Sequence, residues 1–166
     1  MGTLDGQTLN KNKTSKNHKM LKLGKNISSF STYSYRPANR EELKKIINER
    51  INKDGPECDL NDIDTSLITD MSWLFYNLDF NGDILNWNTS NVTTMYWMFA
   101  SSKFNGNISE WDVSNVLNMR KMFLFSNFNK DVSNWKINKE CDICDMFGCC
   151  YTKEEFKPKS IRRCSR

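Results

Sequence analysis

Residues 71–92 read MSWLFYNLDFNGDILNWNTSNV, residues 95–116 read MYWMFASSKFNGNISEWDVSNV, and residues 119–138 read MRKMFLFSNFNKDVSNWKIN. A shorter echo, ICDMF, follows at 143–147. The strings superpose with a period of 24 residues. Met71, Met95 and Met119 share one register, with Ile143 next in line, and Phe75, Phe99, Phe123 and Phe147 share another. Phe80, Phe104 and Phe128, then Ile84, Ile108 and Val132, then Trp87, Trp111 and Trp135 complete five apolar registers. A fixed period of roughly 20–50 residues is the mark of a stacked array, in which no unit can bury its apolar face alone.

Within one unit, Val92, Met95, Met98 and Phe99 fall at the spacing of one helix face, with Ser90 as N-cap. Phe104 to Ile108 is too short for a helix and suits a turn and a brief strand, with Phe104 and Ile108 facing inward. The expectation is therefore an α/β fold, a short leucine-rich-repeat-like solenoid of about 3.5 units, each with a helix on one side and a strand on the other. Asn81, Asn105 and Asn129 recur directly after the core Phe and read as a stacked ladder that satisfies backbone groups.

Upstream, a helix is expected over about 40–53. Asn39 is its N-cap, Glu42 completes a capping box, and Leu43, Ile46, Ile47 and Ile51 form its apolar face. Gly55 and Pro56 end it. The chain then divides into a basic arm at 1–36, a capping helix at 37–57, the repeats at 58–151 and a basic tail at 152–166.

Charge follows the same division. Residues 1–55 hold 12 Lys and Arg against 5 Asp and Glu, residues 56–150 hold 6 against 13, and residues 151–166 hold 6 against 2. An acidic array thus lies between basic ends. These ends either dock on the acidic body or meet an anionic partner, such as nucleic acid, through Lys11, Lys13, Lys16, Lys19, Lys22, Arg162 and Arg163. No apolar run is long enough for a membrane helix, and the first 30 residues show no secretory pattern, so the expected location is the cytoplasm or a virus particle.

The string NVTTMYWMF, then FNGNIS, then WDVSNV, at 91–116, resembles the BspA-like leucine-rich-repeat surface-protein family. PANREELKKIINERI at 37–51 and DLNDIDTSLITDMSWLF at 59–75 look like that family's N-terminal cap and first half-unit. The resemblance implies a scaffold for binding or adhesion with no catalytic residues.

Few residues suggest chemistry. Cys141, Cys144, Cys149 and Cys150 could close a tetrahedral zinc site, pair as a disulfide or remain free thiols. The only histidine, His18, lies in the arm, and no phosphate-binding glycine loop is present. No enzyme, cofactor, membrane or small-molecule substrate is expected. What varies between copies is more informative. Trp73, Tyr76, Tyr96, Trp97, Arg120, Lys121, Leu124 and Phe125 occupy positions expected to point outward. Aromatic and basic side chains in a row are typical anchors of a binding surface, and the alternative is that the rings pack on neighbouring units. The expected function is protein–protein interaction through this stripe. The competing expectations are a structural component of a virus particle or other assembly, with the arms ordered by neighbours, and nucleic-acid binding by the arms.

Overall fold

The computed structural model describes residues 33–161. One α-helix, α1 (Arg40–Asp54), precedes the repeats, and a short 3-10 helix, Glu154–Phe156, follows them. The Asn39 side chain accepts from the Glu42 N–H at 3.0 Å, and Glu42 Oε2 accepts from the Ala38 N–H at 2.8 Å. One orphan donor of the first turn and the N–H just before the cap are thereby satisfied. Gly55, at φ 90°, closes α1 by donating to the Ile51 carbonyl, a conformation that a side chain would strain.

The 24-residue period is realised as a stack, but not as the expected α/β solenoid. No helix forms over Val92–Phe99, and the described residues contain single-residue parallel bridges rather than a sheet: Asp70 to Thr94, Thr94 to Asn118 and Asn118 to Asp142. The backbone explains both corrections. Trp73, Trp97, Lys121 and Asp145 all have φ between 53° and 63°, and Asn77, Ser101, Phe125 and Cys149, four residues further on, have φ between 49° and 56°. A left-handed residue twice in each unit ends any helix before it completes a turn. The chain instead runs through successive tight turns: Met98 donates to Met95, Ala100 to Trp97 and Ser102 to Phe99. Positive φ at the third turn residue is the geometry of a type II turn. These turns also recur every two residues, so only alternate amides are left to bond the next unit, and no continuous strand can form.

Those alternate amides form a regular row. Met71, Trp73, Phe75 and Asn77 donate to the carbonyls of Thr94, Tyr96, Met98 and Ala100 at 2.9–3.1 Å. Met95, Trp97, Phe99 and Ser101 repeat the pattern onto Asn118, Arg120, Met122 and Leu124, and Met119, Lys121, Phe123 and Phe125 onto Asp142, Cys144, Met146 and Gly148. Every bond in this row points from an earlier unit to a later one.

The interior consists of the repeated apolar registers. Phe75, Phe99, Phe123 and Phe147 stack at 5.2, 5.6 and 5.2 Å between successive centroids, and Phe80, Phe104 and Phe128 at 6.0 and 6.3 Å. Trp87, Trp111 and Trp135 are buried, and each indole N–H donates to a carbonyl 27 residues earlier, those of Leu60, Ile84 and Ile108. A buried ring nitrogen is thereby satisfied without water. The asparagine ladder is present: Asn81 Oδ1 accepts from the Asn105 N–H at 2.7 Å, Asn105 Oδ1 from Asn129 at 2.9 Å, and Asn129 Oδ1 from Lys153 at 3.2 Å. Gly82 fits because the Cys58 carbonyl occupies the space a Cβ would take, 1.9 Å away.

α1 covers the first unit. Leu43 and Ile47 are fully buried in the shared core. Arg40 donates to the Ser72 carbonyl at 3.3 Å and Lys44 to the Trp73 carbonyl at 3.0 Å. Arg50 holds Asp54 at 2.7 Å, Asp62 at 2.8 Å and the Asp59 carbonyl at 2.9 Å, tying the end of α1 to the segment entering the stack.

Candidate functional site

The left-handed positions place the aromatic stripe. Trp73 and Trp97 hold equivalent positions in consecutive units, so their rings stack at 4.8 Å with planes 15° apart. Tyr76 meets Trp73 edge-on at 4.8 Å and Trp97 at 5.6 Å. Tyr96 lies edge-on to Trp73 at 5.5 Å. Lys121, next in the column, sets its ammonium 5.2 Å from the Trp97 ring centre, close enough for cation–π attraction. These five side chains form one cluster that joins three units.

The other three predicted residues sit beside it. Arg120 faces Asp142 at 4.0 Å. Leu124 is half-buried over Gly148, where an added Cβ would come within 2.7 Å of Leu124 Cδ1. Phe125 stands out at 61% exposed and Tyr76 at 40%, whereas Trp73, Trp97, Tyr96, Arg120 and Lys121 are half-buried. The alternative reading, rings packed on neighbouring units, therefore describes the two tryptophans, while Tyr76 and Phe125 remain open. The expected reason for the stripe, the outer face of a helix, is corrected: left-handed turns present these side chains.

Two features bear on what the cluster can do. The Trp97 indole N–H is buried without an acceptor among the described residues, a cost that a stacked pair alone does not explain. Bulky residues also stand where the backbone favours Gly or Asn. A left-handed L-residue costs about 1–2 kcal/mol, and the stack places Trp, Trp, Lys and Phe at Trp73, Trp97, Lys121 and Phe125.

Sequence reasoning missed the ends of the stripe. Lys44 reaches the Trp73 carbonyl from α1, and Cys144, Asp145 and Cys149 continue the columns into the last unit. Counting one further period from Arg120, Lys121 and Phe125 would have found the latter three. Leu67, Leu117 and Tyr151 are also exposed, at 66, 50 and 78%, with no signal in the repeat pattern.

Cys141, Cys144, Cys149 and Cys150 are free thiols in the last unit. Cys150 occupies the register of Ser102 and Ser126, and its thiol lies 3.2 Å from the Phe128 carbonyl. Burial pushes the Cys141 thiol up to about 11, with the Asp142 carboxylate acting in the same direction and a hydrogen bond with the Met119 backbone opposing it. Among the described residues, no group of three or more His, Cys, Asp or Glu is arranged to hold a metal ion. Lys11, Lys13, Lys16, Lys19, Lys22, Arg162 and Arg163, with His18, lie outside the described residues. No helix among the described residues is long and apolar enough to cross a membrane.

Fold and stripe together define a class: a helix-capped stack of 24-residue turns with an aromatic column on one side. The chain belongs to the family described as "Mycoplasma protein of unknown function, DUF285", whose model matches residues 41–159. The BspA-like leucine-rich-repeat assignment is thereby corrected. The motifs behind it, the Met-x-x-Met-Phe and Trp-Asp-Val-Ser-Asn-Val strings, lie inside the matched region. No curated protein and no solved structure matches the chain.

Proposed function

We propose that the protein is a non-enzymatic scaffold that binds another protein through the face built by Trp73, Tyr76, Tyr96, Trp97, Lys121 and Phe125, with Arg120 and Leu124 at its margin. The observation that carries this reading is the choice of residue at the left-handed positions. Asn or Gly would hold the same backbone at lower cost, yet large rings and a lysine occupy it. Local rules broken at a conformational cost mark sites kept for another reason. The stacked tryptophans are rigid, and Tyr76 and Phe125 offer apolar area that gains by being covered. A pre-organised face loses little entropy on binding.

The test is co-purification from native cell extract, followed by binding of the isolated partner to purified chain. Tyr76→Ser with Phe125→Ser changes the open rings and leaves the tryptophan stack in place. The expected result is loss of the partner with this double variant, at unchanged circular dichroism, and retention with Glu110→Gln. Equal binding by all three forms would overturn the reading.

A further inference from the structure

One tryptophan of the aromatic cluster sits in its place at the loss of a hydrogen bond. Trp87, Trp111 and Trp135 each donate their indole N–H to a carbonyl, whereas the Trp97 indole N–H is buried with no acceptor among the described residues. A buried donor without a partner is costly, so other contacts must fix this ring against that cost. Three of them are rings. Trp73 stacks on Trp97 at 4.8 Å, and Tyr76 and Tyr96 meet it edge-on at 5.6 and 6.1 Å. The fourth is a charge, the Lys121 ammonium, 5.2 Å from the ring centre. Trp73 bonds to the unit of Trp97, and Trp97 to the unit of Lys121, so the ammonium lies across the indole from Trp73.

We infer that Lys121 is a positioning residue: its positive charge over Trp97 keeps this indole, and with it the Trp73–Trp97 stack, in the arrangement that the proposed interface uses. The role in binding rests on that interface; the geometry does not. Several observations assign the effect to the charge. The ammonium is not engaged elsewhere, since none of the ion pairs among the described residues includes Lys121, and its neighbour Arg120 faces Asp142 instead. The Lys121 side chain is half-buried, and an indole face attracts a cation most strongly where water is partly excluded. Lys121 also stands at φ 58°, where Asn or Gly would be less strained. With a neutral side chain in its place, turning the Trp97 ring so that its N–H reaches water becomes the better arrangement, and the stack opens. The basic residue of this column thus shapes the face, and Tyr76 and Phe125 are left as the open rings that a partner touches.

The test uses the free, full-length protein, so it fails or succeeds separately from partner binding. Nitrogen-15 labelling gives five indole N–H signals in the magnetic resonance spectrum, and Trp97→Phe identifies the one from Trp97. Wild type is compared with Lys121→Gln, which keeps a flexible polar side chain without the charge, and with Lys121→Arg, which restores a cation. In wild type the Trp97 signal is expected upfield of those of Trp87, Trp111 and Trp135, which have acceptors, and slow to exchange with solvent. Lys121→Gln should speed Trp97 exchange roughly fivefold or more and leave Trp87, Trp111 and Trp135 unchanged. Lys121→Arg should return Trp97 to the wild-type rate. Three results overturn the inference. Equal Trp97 exchange in wild type and Lys121→Gln means that the rings alone hold the indole. Equal acceleration in Lys121→Gln and Lys121→Arg means that the shape of lysine matters and its charge does not. Acceleration of Trp87, Trp111 and Trp135 together with Trp97 means that Lys121 supports the whole stack rather than this ring.

Discussion

At Ser101 the backbone sits at φ 55° with the side chain exposed. It is one of eight non-glycine residues held left-handed among the described residues, and its exposed side chain makes the cost easy to measure. Ser101→Gly is expected to stabilise the protein by about 1 kcal/mol, the left-handed penalty less the added freedom of the unfolded chain. A higher urea midpoint at unchanged slope would register this. The same substitution at Trp97 should not stabilise, because the ring contacts to Trp73 and Lys121 go with it. A second residue-scale effect is titration. Asp64 and Asp112 each accept from a serine two residues on, at Ser66 and Ser114, first through its hydroxyl and then its N–H, and both carboxyls are held below the usual range. Folded-state pKa values are therefore depressed, so the unfolded chain takes up protons first as pH falls. Their contribution is complete above the ordinary carboxylate value of about 3.9 and is lost as pH drops through the folded values. Melting temperature should fall with pH below about 4, and the Asp64→Asn/Asp112→Asn variant should lose less. Asn88 stands in the same register and makes the same turn bond to Ser90 without titrating.

At the scale of an element, α1 was legible because each of its signals is local. The Asn39 cap, Glu42, the apolar face and Gly55 all act within one or two turns. How α1 is fixed is not local. Arg50 spans Asp54 and Asp62 and reaches the Asp59 carbonyl, lies 5.6 Å from the Tyr35 ring centre, and has its pKa raised first by Asp54. Hydrogen bonds to charged groups contribute about 1.5–3 kcal/mol. Arg50→Ala is expected to cost about 2 kcal/mol in chemical denaturation. Arg50→Lys should recover only part of it, because an ammonium cannot present the planar fork. The repeat's own elements were misread for a physical reason. Spacings of three and four residues fit a helix face, but they also fit a run of overlapping four-residue turns. The sequence between Val92 and Phe99 lacks the Gly or Asn that would have announced the left-handed residue at Trp97.

For the whole molecule, stacking makes each unit the wall of the next. Phe99 touches Phe75, Phe104, Trp111 and Phe123. Phe99→Ala should cost about 3–5 kcal/mol, a large share of the roughly 5–15 kcal/mol that holds a domain folded. Because units contact only their neighbours, hydrogen exchange should accelerate in the units on both sides of the cavity. Acceleration confined to one unit would contradict this picture of the stack. The candidate face belongs to the same scale. Its residues could be named from what varies between copies, yet their arrangement required the period to become a distance of 4.8 Å between Trp73 and Trp97.

The sequence by itself determined the period, the inward registers of Phe, Met and Trp, the capping helix and the asparagine ladder. Each of these repeats at a fixed interval or acts through adjacent residues. The tertiary structure alone decided the backbone that carries them. Whether a unit is helix, strand or turn depends here on amides that find their acceptors 23 residues further on. Bonds of that kind hold Trp73, Trp97, Lys121 and Phe125 in a conformation their own side chains disfavour.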